Sequence, residues 1–413
     1  MHTRRTFLGT AGAALLAPHL YAAEPAKKKL AVVTNIWHDR SHAWHMAERF
    51  LHGYPVEGKW HRPPIEVVSA FVDQKPETDL SAGRAKEFGF KIYPTIDEAL
   101  CCAGKALAVD AVLLIGEHGK YDRNEFNQIK YPRYEFFKKI TDVFAKGGRA
   151  APVFNDKHLS WKFEWAKEMV DISRKMKFPF LAGSSLPVTW RMPDLDMPHG
   201  AEVEEVMCVA FGGYDVYDFH AHETIQCMAE RRKGGETGVV AVQGLKGESV
   251  WKLIAEKGTA ELFEACLARS QTLAQPTATS HRYPTLAQMK EWVKEPVAHR
   301  VEYADGLKST MLLLNGLVKD FNFAARIKGQ KEPLSVLFHL PPTPNVTYSA
   351  ALMSKAEEMF LTGKAPYPVE RTLLTSGINE AGLKSLATGE KRLETKHLDV
   401  KYTVGKESLY WRK

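Results

Sequence analysis

Apolar and polar positions alternate in blocks along the first half of the chain, and the blocks have the lengths of strands and helices. Lys29 to Thr34 is an apolar, β-branched run that opens into the polar loop Asn35 to Ser41 and then a helix-like stretch from His42 to Leu51. A second run, Ile65 to Val72, ends at Asp73 and leads into a helical pattern at Ala82 to Gly89. A third, Ala108 to Ile115, ends in Gly116-Glu117-His118-Gly119. Strand and helix patterns in this alternation predict a parallel, doubly wound sheet of the Rossmann type, with its ligand at the carboxyl ends of the strands. The candidate binding residues are therefore those that follow the strands: Asn35, Arg40, Asp73, Glu117 and His118.

Beyond residue 183 the pattern changes. Glu202 to Phe211, Gly238 to Leu245, His299 to Tyr303, Thr310 to Asn315, Phe321 to Ile327 and Leu334 to His339 all read as strands. Turn signals at Asp305-Gly306, Asn315-Gly316 and Lys328-Gly329 separate several of them. Successive strands with such punctuation predict an α+β domain built on a large open, mostly antiparallel sheet. The expected division is a leader and linker at 1–28, a Rossmann-like domain at 29–183, an α+β substrate or oligomerisation domain at 184–370, and a return segment at 371–413.

One stretch concentrates chemistry. Between Gly212 and Glu223 lie Asp215, Asp218, His220, His222 and Glu223. On a helix Asp218 and His222 share a face, and a carboxylate beside an imidazole orients and tunes a proton-transfer group. In an extended chain His220 and His222 would share a face instead.

At 413 residues the chain is long enough for two cores. A formal charge of +7 comes from lysines spread along the sequence, without an arginine-rich arm or zinc-finger spacing, so nucleic acid is not an expected partner. Thr3-Arg4-Arg5-Thr6-Phe7-Leu8, the short apolar run Ala11 to Ala17 and the small residues Ala22-Ala23 form a twin-arginine leader, from which export to the periplasm or outside is expected. No run approaches the length of a membrane span, so stable membrane insertion is not expected. Cys101, Cys102, Cys208, Cys227 and Cys266 are odd in number and lack a C-x-x-C pair, which suggests mostly buried thiols.

Several segments carry a resemblance. Asp73 after the second strand, Ala85-Lys86-Glu87-Phe88-Gly89, Tyr93-Pro94-Thr95-Ile96-Asp97-Glu98-Ala99-Leu100 and Val109 to Ile115 follow one another as in the glucose-fructose oxidoreductase/inositol dehydrogenase (Gfo/Idh/MocA) family. Asn155-Asp156-Lys157-His158 stands where that family has Glu-Lys-Pro, and Asp218-Phe219-His220-Ala221-His222 fits its Asp-x-x-x-His. The resemblance implies a nicotinamide cofactor, a carbohydrate or polyol substrate and a homo-oligomer. It also implies that Lys157 adjoins both nicotinamide and substrate, with His222 as base and Asp218 as its orienter. Acidic Asp73 favours NAD over NADP.

The sequence departs from the family in two places and carries an insertion. No glycines follow the first strand, so a pyrophosphate is expected to be held by side chains such as Arg40 or by the next helix N-terminus. His158 replaces the proline, and a Tyr- and Arg-containing insertion runs from Lys120 to Phe136 as either a lid or a surface loop. Three readings stay open: an exported sugar or polyol oxidoreductase; a non-redox lyase or hydrolase with a divalent metal on His220, His222 and Glu223, with or without His38, His42 or His45; and a non-catalytic sugar-binding protein.

Overall fold

A computed structural model describes residues 26–412; the twin-arginine segment, the apolar run after it and Ala22-Ala23 lie outside the described residues. The fold is α/β. Six parallel strands form the first sheet in the order Lys91–Tyr93, Ile65–Gln74, Lys28–Ile36, Ala111–Ile115, Val153–Asp156, Phe180–Gly183. The order reverses at the first strand, which makes a crevice at the carboxyl ends beside it. The strand expected from Ala108 begins only at Ala111, because Asp110 turns its carboxylate onto the Lys29 amide at 2.9 Å. Helix Phe163–Lys175 follows the strand Val153–Asp156.

The second sheet has eight strands in the order Leu393–Glu394, Val239–Lys246, Val297–Tyr303, Lys308–Leu313, Val203–Ala210, Phe321–Ile327, Leu334–Phe338, Arg191–Met192. Neighbours are antiparallel except Val203–Ala210 against Lys308–Leu313. It is less open than its sequence suggests. Along Val203–Ala210, Val206, Cys208 and Ala210 enter the core shared with the first sheet, whereas Met207 and Val209 enter a separate core. That second core comes from helices Glu248–Ile254, Lys257–Leu267 and Leu286–Trp292, which lie on the outer face. Both faces are thus covered, as the nearly unbroken burial of these strands requires.

Helix Tyr217–Ala229 lies between this sheet and helix Glu370–Ala387 and is buried nearly all round. After the second sheet, helix Tyr348–Thr362 returns to the first. It packs Ala351, Met353 and Phe360 into the same cluster as Ala43, Ala47 and Phe50 of helix His42–His52. The insertion is a clasp packed on the protein. Its Ile129 amide donates to Asp215 at 2.6 Å, its Asn127 amide to Tyr214 at 2.9 Å and its Gln128 amide to the Trp161 carbonyl at 3.0 Å.

Candidate active site

The carboxyl ends of strands Lys28–Ile36, Ala111–Ile115, Val153–Asp156 and Phe180–Gly183, the first, fourth, fifth and sixth of the parallel sheet in chain order, open into a cavity of about 230 Å³. Its walls include Arg40, His42 and His45 from the turn and helix after the first strand, and His118 after the fourth. Asp156 and Lys157 end the fifth strand, and Ser184 follows the sixth. Tyr217 and His220 close the cavity from the second half, together with Phe321 and Tyr348.

Lys157 is held by its backbone and by its charge. It sits at φ 61°, a left-handed conformation uncommon for a side-chain-bearing residue, with its amide 3.3 Å from the Gly183 carbonyl. Its ammonium lies 3.4 Å from Glu117, which also pairs with Arg133; all three side chains are buried. Burial alone would raise the Glu117 carboxyl, yet Lys157 and Arg133 hold it far below the usual carboxylate range. Arg133 in turn donates to His158 at 2.9 Å. A methyl at Gly116 would stand 2.4 Å from the Arg133 side chain, so the residue before Glu117 has to be glycine.

Of the two histidines between Gly212 and Glu223, His220 is the one that lines the cavity. Its Nδ1 shares a 2.6 Å hydrogen bond with the Ser184 hydroxyl. Burial, with Lys157 and His42 adding to it, pushes its pKa well below the ordinary value, so the ring is neutral. Ser184 is fixed by Glu223, whose carboxylate accepts from the Ser184 amide (3.3 Å) and from Thr372 and Thr375 (3.2 and 2.7 Å).

The structure brings only some of the expected residues together. Arg40, His118, Lys157 and His220 share the cavity. His222 does not: it is one residue pair further round the helix, buried against His299 of the second sheet at 2.9 Å. Asp218 does not orient it. Asp218 accepts from the Asp215 and Phe219 amides, both at 2.9 Å, and the Asn379 amide caps both its oxygens at 3.1 and 3.0 Å. His220, His222 and Glu223 therefore point three ways and form no metal site; among the described residues no cluster of three or more His, Cys, Asp or Glu side chains is arranged to hold a metal ion. Asn35 is fully buried and braces the His118 carbonyl at 3.2 Å, and Glu117 is the counter-ion beneath Lys157. Asp73 lies on the rim, outside the cavity, accepting from Tyr121 at 2.7 Å.

Asp156, Ser184, Tyr217 and Tyr348 were not anticipated. Asp156 carried a signal, as the residue before Lys157, but its partner His42 is 114 positions away.

A parallel sheet is joined to a helix-covered mixed sheet, and Lys157 and His220 line the same cavity where the two halves meet. No protein-family model and no curated protein matches the sequence. Solved structures do match the fold. GenD2 of gentamicin A biosynthesis, solved in complex with NAD, is 12% identical, with 94% of this chain and 99% of that chain covered at a TM-score of 0.55. Myo-inositol dehydrogenase from Lactobacillus casei, in complex with NAD(H) and myo-inositol, is 11% identical over 89% of this chain and 96% of that chain, at 0.52. Apo scyllo-inositol dehydrogenase from Lactobacillus casei is 10% identical over 89% and 98%, also at 0.52. At these identities the likeness is one of fold.

Proposed function

We propose that this chain is an oxidoreductase that oxidises a secondary hydroxyl of a sugar or cyclic polyol with a nicotinamide dinucleotide, and that its twin-arginine leader exports it. The observation that carries this reading is Lys157, a buried ammonium paired with Glu117 that lines the same small cavity as the neutral imidazole of His220. The fold neighbours described with NAD, and with NAD(H) and myo-inositol, support the cofactor and the ligand class.

The residues fit a dinucleotide through side chains rather than through glycines. Trp37 is fully buried and stacked on Phe90 at 5.9 Å, so the turn after the first strand keeps its backbone beneath a bulky ring. Arg40 instead takes the left-handed conformation at φ 60°, with an exposed guanidinium beside the N-terminus of helix His42–His52. Arg40 and the amides of that first turn would hold the pyrophosphate, and Asp73 a ribose hydroxyl pair. When bound, the nicotinamide ring supplies the hydride acceptor. The protein's own part is proton transfer and charge. Lys157 donates to the substrate oxygen and stabilises it as the proton leaves, and His220, with its Nδ1 proton on Ser184, receives that proton at Nε2. A cavity of about 230 Å³ suits one compact polyhydroxylated ring.

The test is to supply NAD or NADP with a panel of cyclic polyols and aldoses, following reduced nicotinamide by its absorbance and dinucleotide binding by calorimetry. Turnover with NAD that disappears in Lys157→Met is expected. Absence of both turnover and dinucleotide binding would overturn the reading. Export is tested separately: Arg4→Lys with Arg5→Lys is expected to leave the precursor in the cytoplasm.

A further inference from the structure

The cavity holds a second imidazole that the oxidation step leaves without a task. His42 opens the helix after the first strand, and its Nδ1 lies 2.6 Å from Oδ2 of Asp156 at the end of the fifth. Asp156 is 1% exposed, and its other oxygen has no partner. A carboxylate on Nδ1 fixes the tautomer, which puts the lone pair on Nε2, the nitrogen that has no protein partner. His118 and His45 meet the ring edge-on, with centroids at 4.9 and 5.8 Å. Burial, with His42 as the next cause, pushes their pKa values down to about 4 and about 3, so both flank His42 as neutral rings.

A tie between helix and strand would explain the hydrogen bond alone. It would not explain why the tie lines the cavity, nor why Asp156 is followed directly by Lys157, whose ammonium faces Glu117 on that same floor. The imidazole on its carboxylate, the ammonium, and His220 on Ser184 form three separate proton-handling groups around one small ligand space.

We infer that His42, oriented by Asp156, is a second catalytic base, which removes a proton from the carbon next to a substrate carbonyl. The C–H bond breaks and its electron pair becomes the C=C bond of an enolate. The carbonyl π pair moves to oxygen, where the Lys157 ammonium stabilises it, and the proton goes to Nε2 of His42. Reversal returns a solvent-derived proton to carbon, so no oxidant or reductant is consumed. The ligand class, the ketone of a cyclic polyol or sugar, rests on the oxidoreductase reading. The consequence is an exchange or epimerisation activity toward the ketone, separate from hydride transfer.

The experiment uses the full chain without dinucleotide, with 2-keto-myo-inositol in heavy water, following loss of the α-proton signals by NMR. Wild type is expected to wash deuterium into those positions well above the buffer rate. His42→Ala is expected to lose this by a factor on the order of 10² or more, the contribution of a positioned base, with added imidazole restoring part of it. Asp156→Asn, a positioning change, is expected to slow exchange less than His42→Ala and to lower the exchange rate at saturating ketone more than it lowers ketone affinity. Urea unfolding and ketone binding by calorimetry, measured on each variant, separate chemistry from folding. Ketone binding without His42-dependent exchange overturns this inference alone. Failure of the ketone to bind wild type overturns the polyol reading and this inference with it.

Discussion

His222 and His299 are hydrogen-bonded to each other, Nε2 to Nδ1 at 2.9 Å, with their rings stacked at 5.2 Å. The pair joins helix Tyr217–Ala229 to the second sheet, outside the lining of the cavity, and both rings are buried. Burial pushes both pKa values down, so the pair is neutral. Replacing His222 with leucine strands a polar atom of His299 and is expected to lower stability by about 1–3 kcal/mol. Turnover of the folded fraction is expected to stay near normal. Urea midpoints together with initial rates check this; a hundredfold rate loss at unchanged stability would return His222 to the chemistry.

Lys157→Met is expected to do the opposite. Glu117 keeps its Arg133 partner, so the carboxylate is not left alone, and removing a buried charge that is only partly compensated costs the fold little. The rate is expected to fall by about two to four powers of ten. Normal expression with normal rate would remove lysine from the mechanism.

Tyr121 occupies the carboxylate that a ribose would need, donating to Asp73 at 2.7 Å. The loop keeps a second brace, since the Lys120 amide donates to the Gln74 side chain at 2.9 Å. Tyr121→Phe is expected to free Asp73 without releasing the loop. If that competing hydrogen bond is worth about 1 kcal/mol, dinucleotide affinity rises about fivefold, which calorimetry resolves.

Asp215 and Asp218 form a buried acidic pair. Burial, then the Asp218 charge, raises Asp215 to about 8, and burial raises Asp218 to about 7. Their unfolded values lie near 3.8, so the folded state binds protons the unfolded chain has released. Stability is therefore fullest below pH 4 as far as this pair is concerned, and is lost as pH rises towards 8. Asp215→Asn keeps an acceptor for the Ile129 amide and removes one charge. It is expected to lie near wild type in urea midpoint at pH 5 and to exceed it at pH 9, with the gap widening across that range.

The strands were legible because apolar runs such as Val32-Val33 and Val112-Leu113-Leu114 end in polar loops, and burial on both faces makes those runs continuous. Lys157 came from the resemblance, through the Asn155-Asp156-Lys157-His158 motif, and it does line the cavity. The rest depended on directions that local spacing does not hold. Asp218 and His222 do lie one turn apart, but a helix buried on every side gives no hint which face meets the cavity; one residue pair decided between His220 and His222. The contact of His42 with Asp156 joins the start of a helix to the end of a strand two places away in the sheet, a meeting that exists only once the sheet has formed.

Helices Glu248–Ile254, Lys257–Leu267 and Leu286–Trp292 have a further consequence for assembly. With both faces roofed, the eight-stranded sheet has only its margins left to offer another molecule, and each margin is a strand of two residues, Leu393–Glu394 at one side and Arg191–Met192 at the other. Strands so short give an incoming chain almost no ladder to extend. A second copy of this protein would therefore meet this sheet through loops and through the helices that roof it, where Leu286 is exposed, rather than by adding a strand.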